Sequence, residues 1–350
     1  MPDDEEHLHS RRAFLLGVSR LGVGGLALGS LGLSALAAAC TQDSSAGPNA
    51  TASSPGSPSS PTPPAQPGSM AEMQQTAAVH LSMLSGADEE APFTPGKLLL
   101  SFALAAPGAS FITDESPQVY IAKDRYKKAL GPFTTSWYPF TGYDKTHDHS
   151  PESPLTAGGV YSVELDVPST GNWGVAAVLT AEGKHGVGES AFPVAAHADN
   201  EIGSKAVSVA TPVATSEAGL KQICTREPVC HMHTPSLATA LKNGKPTVVV
   251  FSTPLLCQSQ FCGPVTDEVI LVSEKYRTRV NCLHVEEFLP GPNLQPPAPT
   301  APNRSPAFKA WHLLSEPWVF VVDRKGVIRA RLGPGPTVAP QIEQELKKVM

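Results

Sequence analysis

Charge is sparse in this chain: Asp, Glu, Lys and Arg together make up only 17% of 350 residues. There is no excess of positive charge either. The net charge is -6 and the pI is near 6.0, so the electrostatic footprint of a nucleic-acid binder is missing and nucleic acid is excluded as an expected partner. Extended helical periodicity is scarce, whereas Pro (35) and Gly (29) are plentiful, which predicts that strands, loops and linkers outweigh long surface helices. None of the six cysteines stands in the Cys-x2-Cys spacing of a common zinc knuckle. They are Cys40, Cys224, Cys230, Cys257, Cys262 and Cys282. What they can do depends on the compartment, because disulfides persist outside the cytoplasm and metal or catalytic roles prevail within it.

The N-terminus addresses the compartment. Ser10-Arg11-Arg12-Ala13-Phe14-Leu15-Leu16 resembles a twin-arginine export signal, and a Gly-, Ala- and Leu-rich segment follows from Leu21 to Ala39. It ends in Leu36-Ala37-Ala38-Ala39-Cys40, which resembles a bacterial lipobox, with Ala37 where Leu is more usual. Residues 1–39 are therefore read as a twin-arginine lipoprotein signal and Cys40 as the lipidation site. An uncleaved anchor helix is the alternative. Either reading predicts an extracytoplasmic protein anchored to the bacterial cell membrane. Residues 40–90 are read as a linker; its Ser/Pro-rich part, Thr41 to Ser69, has too little apolar surface to offset ordering entropy. Met70 to Leu84 suggests a short helix, on which Met70, Met73, His80 and Met83 read as packing residues before a soft-metal site.

Residues 91–200 predict an antiparallel β-sandwich, loosely similar to immunoglobulin-like modules in architecture alone. Leu98 to Leu104, Val119 to Ala122, Val160 to Val167, Val175 to Thr180 and Val187 to Val194 are short apolar runs set apart by turn residues. His147 and His149 lie in a loop without two further ligands, and read as solvated. Residues 201–233 form a connector carrying Cys224-Thr-Arg-Glu-Pro-Val-Cys230-His-Met-His233. A local Cys224–Cys230 disulfide is the simpler reading in an exported protein; a metal site and free thiols are the alternatives.

The chemistry concentrates in residues 234–350. Thr247 to Phe251 is an uncharged β-branched run bounded by Pro on both sides, as in a buried strand. Cys257 and Cys262 follow directly, before a predicted amphipathic helix over Val265 to Arg277 that sets apolar Val269, Ile270 and Val272 against polar Asp267, Glu268 and Lys275, and a cysteine at a strand-to-helix junction is favoured as thiolate. In one regular helix the two would be separated by about 7.5 Å of rise and about 140° of rotation. A disulfide fails beyond a Cα separation of roughly 7 Å. Cys257 is thus expected in the loop before a helix starting near Pro264, or the first turn unwinds on oxidation. Val280 to Val285 predicts a further strand holding Cys282, read as a buried core thiol with Cys230 as an alternative partner.

This strand with its cysteines, and the run Pro317-Trp-Val-Phe-Val-Val-Asp-Arg-Lys-Gly-Val-Ile328, resemble exported thioredoxin-like (TlpA-type) proteins. The resemblance implies an α/β thioredoxin-like three-layer domain, a cis bond before Pro317, and thiol–disulfide exchange with exported protein thiols or disulfides through Cys257, Cys262 and Pro317, the two cysteines forming a disulfide. Cys-x4-Cys departs from the family's Cys-x2-Cys. Cys257 is read as nucleophile and Cys262 as resolving residue, although Phe261-Cys262-Gly263-Pro264-Val265 aligns Cys262 with the family's attacking cysteine. No cofactor and no metal are assigned. Three other readings stand beside this one: a silent binding module, a peroxiredoxin-like peroxidase suggested by Thr253-Pro254-Leu255-Leu256-Cys257, and a copper-delivery protein using Cys257, Cys262 and His284.

Overall fold

The computed structural model describes residues 65–85, 92–108, 110–141, 158–181, 183–257, 261–288 and 304–350. The residues read as an export signal and a lipidation site, including Cys40, most of the stretch read as a linker, and His147 and His149 lie outside these. No helix among the described residues is long and apolar enough to cross a membrane.

The first part opens with a helix, α1 (Met70–Thr76), capped by the Ser69 hydroxyl, which accepts from the Glu72 N–H. The chain then turns into strand β1 (Val79–Ser85), so the helix expected over Met70 to Leu84 ends halfway. Val79 and Leu81 are buried while His80 and Ser82 are exposed, the period-two pattern of a strand with one wet face. Strands β2 (Gly96–Ala105), β3 (Phe111–Ile112), β4 (Gln118–Ala122), β5 (Leu130–Pro139), β6 (Gly159–Val167), β7 (Gly171–Ala181) and β8 (Lys184–Val194) follow. Their order is β1-β8-β7-β4-β5-β6-β2-β3, and β1 also pairs with β2. That last pairing closes a ring of seven strands, with β3 hanging on β2.

The β1–β8 pair is parallel and every other pair in the ring is antiparallel. Each antiparallel step reverses direction, so an odd ring cannot close without a parallel step. Phe102, Leu104, Val119, Ile121, Tyr161, Leu165, Trp173 and Phe192 lie in the core that the barrel encloses.

The second part contains helices α2 (Glu217–Leu220) and α3 (Leu237–Ala240), strand β9 (Thr247–Phe251), a 3-10 turn (Pro254–Leu256), α4 (Cys262–Tyr276), β10 (Asn281–Val285), α5 (Pro306–Ala310), β11 (Trp318–Val322), β12 (Ile328–Leu332) and α6 (Ala339–Lys347). The four strands form a separate sheet of order β10-β9-β11-β12. β9 and β10 run parallel; the other pairs are antiparallel. Val248 and Val250 pack with Val265, Val269 and Ile342 of α4 and α6, while Val249 and Phe251 pack on the opposite face with Leu237, Phe308 and Trp311.

Two expectations are corrected here. The expected antiparallel sandwich is a closed mixed barrel, because β1 bridges β8 and β2 and so leaves no pair of stacked sheets. The expected thioredoxin-like three-layer α/β domain is corrected as well: the described residues are mostly β, and their six helices are short. Among them only α4 exceeds ten residues, and one face of the four-stranded sheet is covered largely by the single turns α3 and α5 with the chain at Ala206, Val207 and Val209.

A smaller correction concerns α4. Asp267 and Glu268, expected on a polar face, are buried. Asp267 pairs with Arg226, and Glu268 accepts the Ala339 N–H at the start of α6 at 2.7 Å. Each buried acid is thus compensated, as burial of a charge demands.

Candidate functional site

Two cysteine clusters sit beside the β9–β10 pair. The first follows the end of β9. Ser252 and Thr253 continue the chain inward, the 3-10 turn carries it round, and Cys257 stands at the end of that turn with extended backbone (φ -69°, ψ 119°). Cys262 is the first residue of α4. The two are joined as a disulfide with a Cα separation of 5.9 Å. Because Cys257 precedes the helix, the regular-helix distance that would forbid the bond does not apply.

The environment divides the pair. Cys257 is half-buried, whereas Cys262 is 0% exposed at a helix N-terminus, where unsatisfied N–H groups favour a thiolate. A carboxylate oxygen of Glu316 lies within 4.8 Å of both sulfurs. Glu316 Oε2 is buried without a hydrogen-bond partner. Burial, reinforced by the nearby charges of Glu287 and Glu286, holds this carboxyl well above the usual carboxylate range. The Glu316–Pro317 bond is cis, and Pro317 is buried, its carbonyl accepting from the Gly335 N–H at 3.0 Å.

The second cluster lies on the other side of β10. Cys224 follows α2, Cys230 and His233 lie in the loop beyond it, and His284 sits in β10 itself. The His284 N–H donates to the Met232 carbonyl at 2.7 Å, which lays this loop along the β10 edge. All four side chains are buried, and one donor atom from each lies within 4.8 Å of the other three. Cys224 Sγ is 3.9 Å from Cys230 Sγ, and His284 Nδ1 is 3.8 Å from Cys224 Sγ and 3.3 Å from Cys230 Sγ.

Electrostatics separates the two thiols. Hydrogen bonding by Cys230, then by His233 and His284, draws Cys224 far below the ordinary thiol range despite burial. Cys230, bonded to that sulfur and deeply buried, is pushed well up. Burial opposes charge on His284, yet Glu286 and Cys224 together raise it to about 9. Burial lifts Glu286 to about 7. Burial lowers His233.

Several sequence expectations meet a different geometry. Cys224 and Cys230 are free thiols, so the expected local disulfide is not made. His231 turns away and pairs with Ser273 Oγ at 2.9 Å. His284, which the copper-delivery reading grouped with Cys257 and Cys262, faces Cys224 and Cys230. The Thr253 hydroxyl accepts from the Glu287 and Phe288 N–H groups at 2.7 and 3.2 Å. Cys282, by contrast, is free and buried as expected, its thiol pushed up to about 12 by burial. Sequence reasoning missed Glu316 altogether and did not join His284 to the connector cysteines. A Glu directly before the motif proline was the one available signal.

Compared with protein-family models and with curated proteins, the chain matches none. Function is therefore argued from the sites themselves.

Proposed function

We propose that the protein is a thiol–disulfide oxidoreductase working through Cys257 and Cys262, held at the outer side of the bacterial cell membrane and acting on exported protein thiols or disulfides. The observation that carries this reading is the division of one sulfur pair into a half-exposed Cys257 and a fully buried Cys262 at a helix start, with the Glu316 carboxyl beside them. The resemblance of the two cysteine and proline runs to exported thiol–disulfide proteins supports it independently.

In this reading a substrate thiolate attacks Cys257, the sulfur it can reach, forming a mixed disulfide and releasing Cys262 as thiolate. The second substrate thiol then attacks its own sulfur in the mixed disulfide and frees Cys257. One substrate disulfide forms, and the protein disulfide gains two electrons and two protons to become a dithiol. The reverse sequence reduces a substrate disulfide, with Cys257 attacking and Cys262 resolving. Protonated Glu316, favoured by its burial, supplies a proton to the leaving Cys262 sulfur and takes it back in the reverse direction. Tethering rests on the twin-arginine run and on Cys40.

The test is turnover of insulin or scrambled ribonuclease by the full chain. Activity is expected in the unaltered protein and lost in Cys257→Ser. Full activity in Cys257→Ser, or an unaltered protein that never turns over, overturns the proposal. For the tether, Cys40→Ala is expected to release the chain from membranes; retention through an uncleaved anchor would replace lipidation as the mode of attachment.

A further inference from the structure

The connector cluster presents a second chemistry that disulfide exchange does not use. Two sulfurs and two imidazoles converge from a loop and from a strand, and all four side chains are buried. We propose that Cys224, Cys230, His233 and His284 form a closed tetrahedral zinc(II) site that fastens the connector loop to the β10 edge of the four-stranded sheet.

Distances carry the argument furthest. An ion about 2.3 Å from sulfur and about 2.0–2.1 Å from nitrogen, with tetrahedral angles, sets two sulfurs about 3.8 Å apart and a sulfur about 3.6 Å from a nitrogen. Here the sulfurs are 3.9 Å apart, and His284 Nδ1 is 3.8 and 3.3 Å from them. These edges match a coordination shell. A disulfide needs sulfurs about 2.0 Å apart.

Orientation points the same way. The other nitrogen of His284, Nε2, lies 3.0 Å from the Ser252 carbonyl and 3.5 Å from Glu286 Oε1. In the neutral ring that a metal ion requires, Nε2 donates its proton there and the Nδ1 lone pair faces the sulfurs, the outer-shell arrangement typical of a metal-bound histidine. Glu286 is itself fixed by the Thr225 N–H and hydroxyl, the latter at 2.8 Å. His233 Nε2 is buried with no hydrogen-bond partner, in a residue only 5% exposed.

A Cys224–Cys230 disulfide would remove the thiolate that His233 and His284 now face and would give the buried His233 Nε2 no partner. A metal ion satisfies all four groups together. Charge selects the ion. Two thiolates and a divalent cation sum to zero, which suits a buried site, whereas a monovalent copper ion would leave a net negative charge next to buried Glu286. A cavity of about 340 Å³, lined by His233, His284, Glu286 and Ser305 among others, gives the ion a way in.

The test uses the full chain in detergent, isolated without chelator. Elemental mass spectrometry is expected to find one zinc per chain, with Cys224 and Cys230 resisting alkylation until zinc is stripped. His233→Ala and His284→Ala are each expected to weaken zinc binding by at least about 10-fold, while Cys257→Ser leaves zinc content unchanged. Should a histidine variant fail to fold, cobalt(II) exchanged into the unaltered protein decides: thiolate-to-cobalt charge transfer and tetrahedral d–d bands are expected. A Cys224–Cys230 disulfide in the protein as isolated overturns the site. So does reduced protein that takes up no zinc, or preferential retention of copper(I). None of these readouts depends on disulfide turnover, so this proposal and the proposed oxidoreductase activity stand or fall separately.

Discussion

Two cysteine pairs of nearly equal spacing lie beside one four-stranded sheet, and their surroundings suit them to different chemistry. Cys257-x4-Cys262 spans the step from a 3-10 turn to a helix, which brings the Cα atoms to 5.9 Å and leaves one sulfur half-exposed beside a carboxyl group. Cys224-x5-Cys230 spans a loop laid along β10, where both sulfurs turn inward to His284. The first pair has a half-buried residue, Cys257, and a neighbouring carboxyl group, which suits the proposed exchange. The second is buried and faces two imidazoles, which suits the proposed metal shell. Spacing alone does not distinguish them; what faces each sulfur does.

The sharpest way to break this contrast is to remove the reachable sulfur. Cys257→Ser is expected to lower insulin or ribonuclease turnover at least about 100-fold, whereas Cys230→Ser should retain turnover per folded molecule. If Cys230→Ser abolishes turnover in folded protein, the assignment of roles to the two pairs is reversed.

Next in size is the strut between the sites. Arg226, inside the Cys224–Cys230 loop, pairs with buried Asp267 one turn beyond Cys262 and also donates to the Pro228 carbonyl. Arg226→Ala leaves the Asp267 carboxylate buried and short of its cation. A loss of about 3–5 kcal/mol in chemical denaturation is expected. A loss below about 1 kcal/mol would mean that the loop and α4 are not coupled through this pair.

Glu316→Gln sharpens the comparison further. It keeps the side chain's size while removing the exchangeable proton, and turnover is expected to fall about 10- to 100-fold. The same residue predicts a pH dependence of stability. Its folded-state pKa is raised, so the folded chain holds a proton that the unfolded chain gives up. The stability it contributes is complete below the ordinary value of 4.5 and is lost as pH rises through the folded value. Thermal midpoints should therefore decline over that range in the unaltered protein and decline less in Glu316→Gln. An identical decline in both would place the titration elsewhere.

The smallest effect is expected at Cys282. Its thiol stays protonated because burial pushes it up to about 12, so it takes part in neither chemistry. Cys282→Ala should cost ~1 kcal/mol and leave turnover and zinc content as they were. Rapid alkylation of Cys282 in the folded, unaltered protein would contradict this.

Much of the local structure was legible in the chain. Thr247 to Phe251 could only be a buried strand, being short, uncharged and β-branched, and it is buried throughout. Most of the barrel strands were readable from runs of apolar residues between turns. β1 was hidden, because Met70, Met73, His80 and Met83 invite a helical reading, although Ala77 already breaks the helix with extended backbone. Asp267 and Glu268 were read as part of the polar side of the helix, since a helical pattern does not reveal that Arg226 and the Ala339 N–H face them in the interior. At the candidate sites, Cys257 and Cys262 stood out by their place after a strand, but Glu316 did not, because its place before the motif proline does not tell which way its carboxyl group turns.

The sequence by itself determined the elements that neighbouring residues decide: strand propensity, helix caps, and two short cysteine spacings after recognisable segments. Only the tertiary structure decided which pairs of edges meet. Ring closure depends on β1 finding both β8 and β2, and the four-donor cluster depends on His284 reaching cysteines 54 and 60 residues away. Such meetings follow from sheet register and from the packing of whole faces, to which every core residue contributes a little. No short stretch of sequence contains that sum.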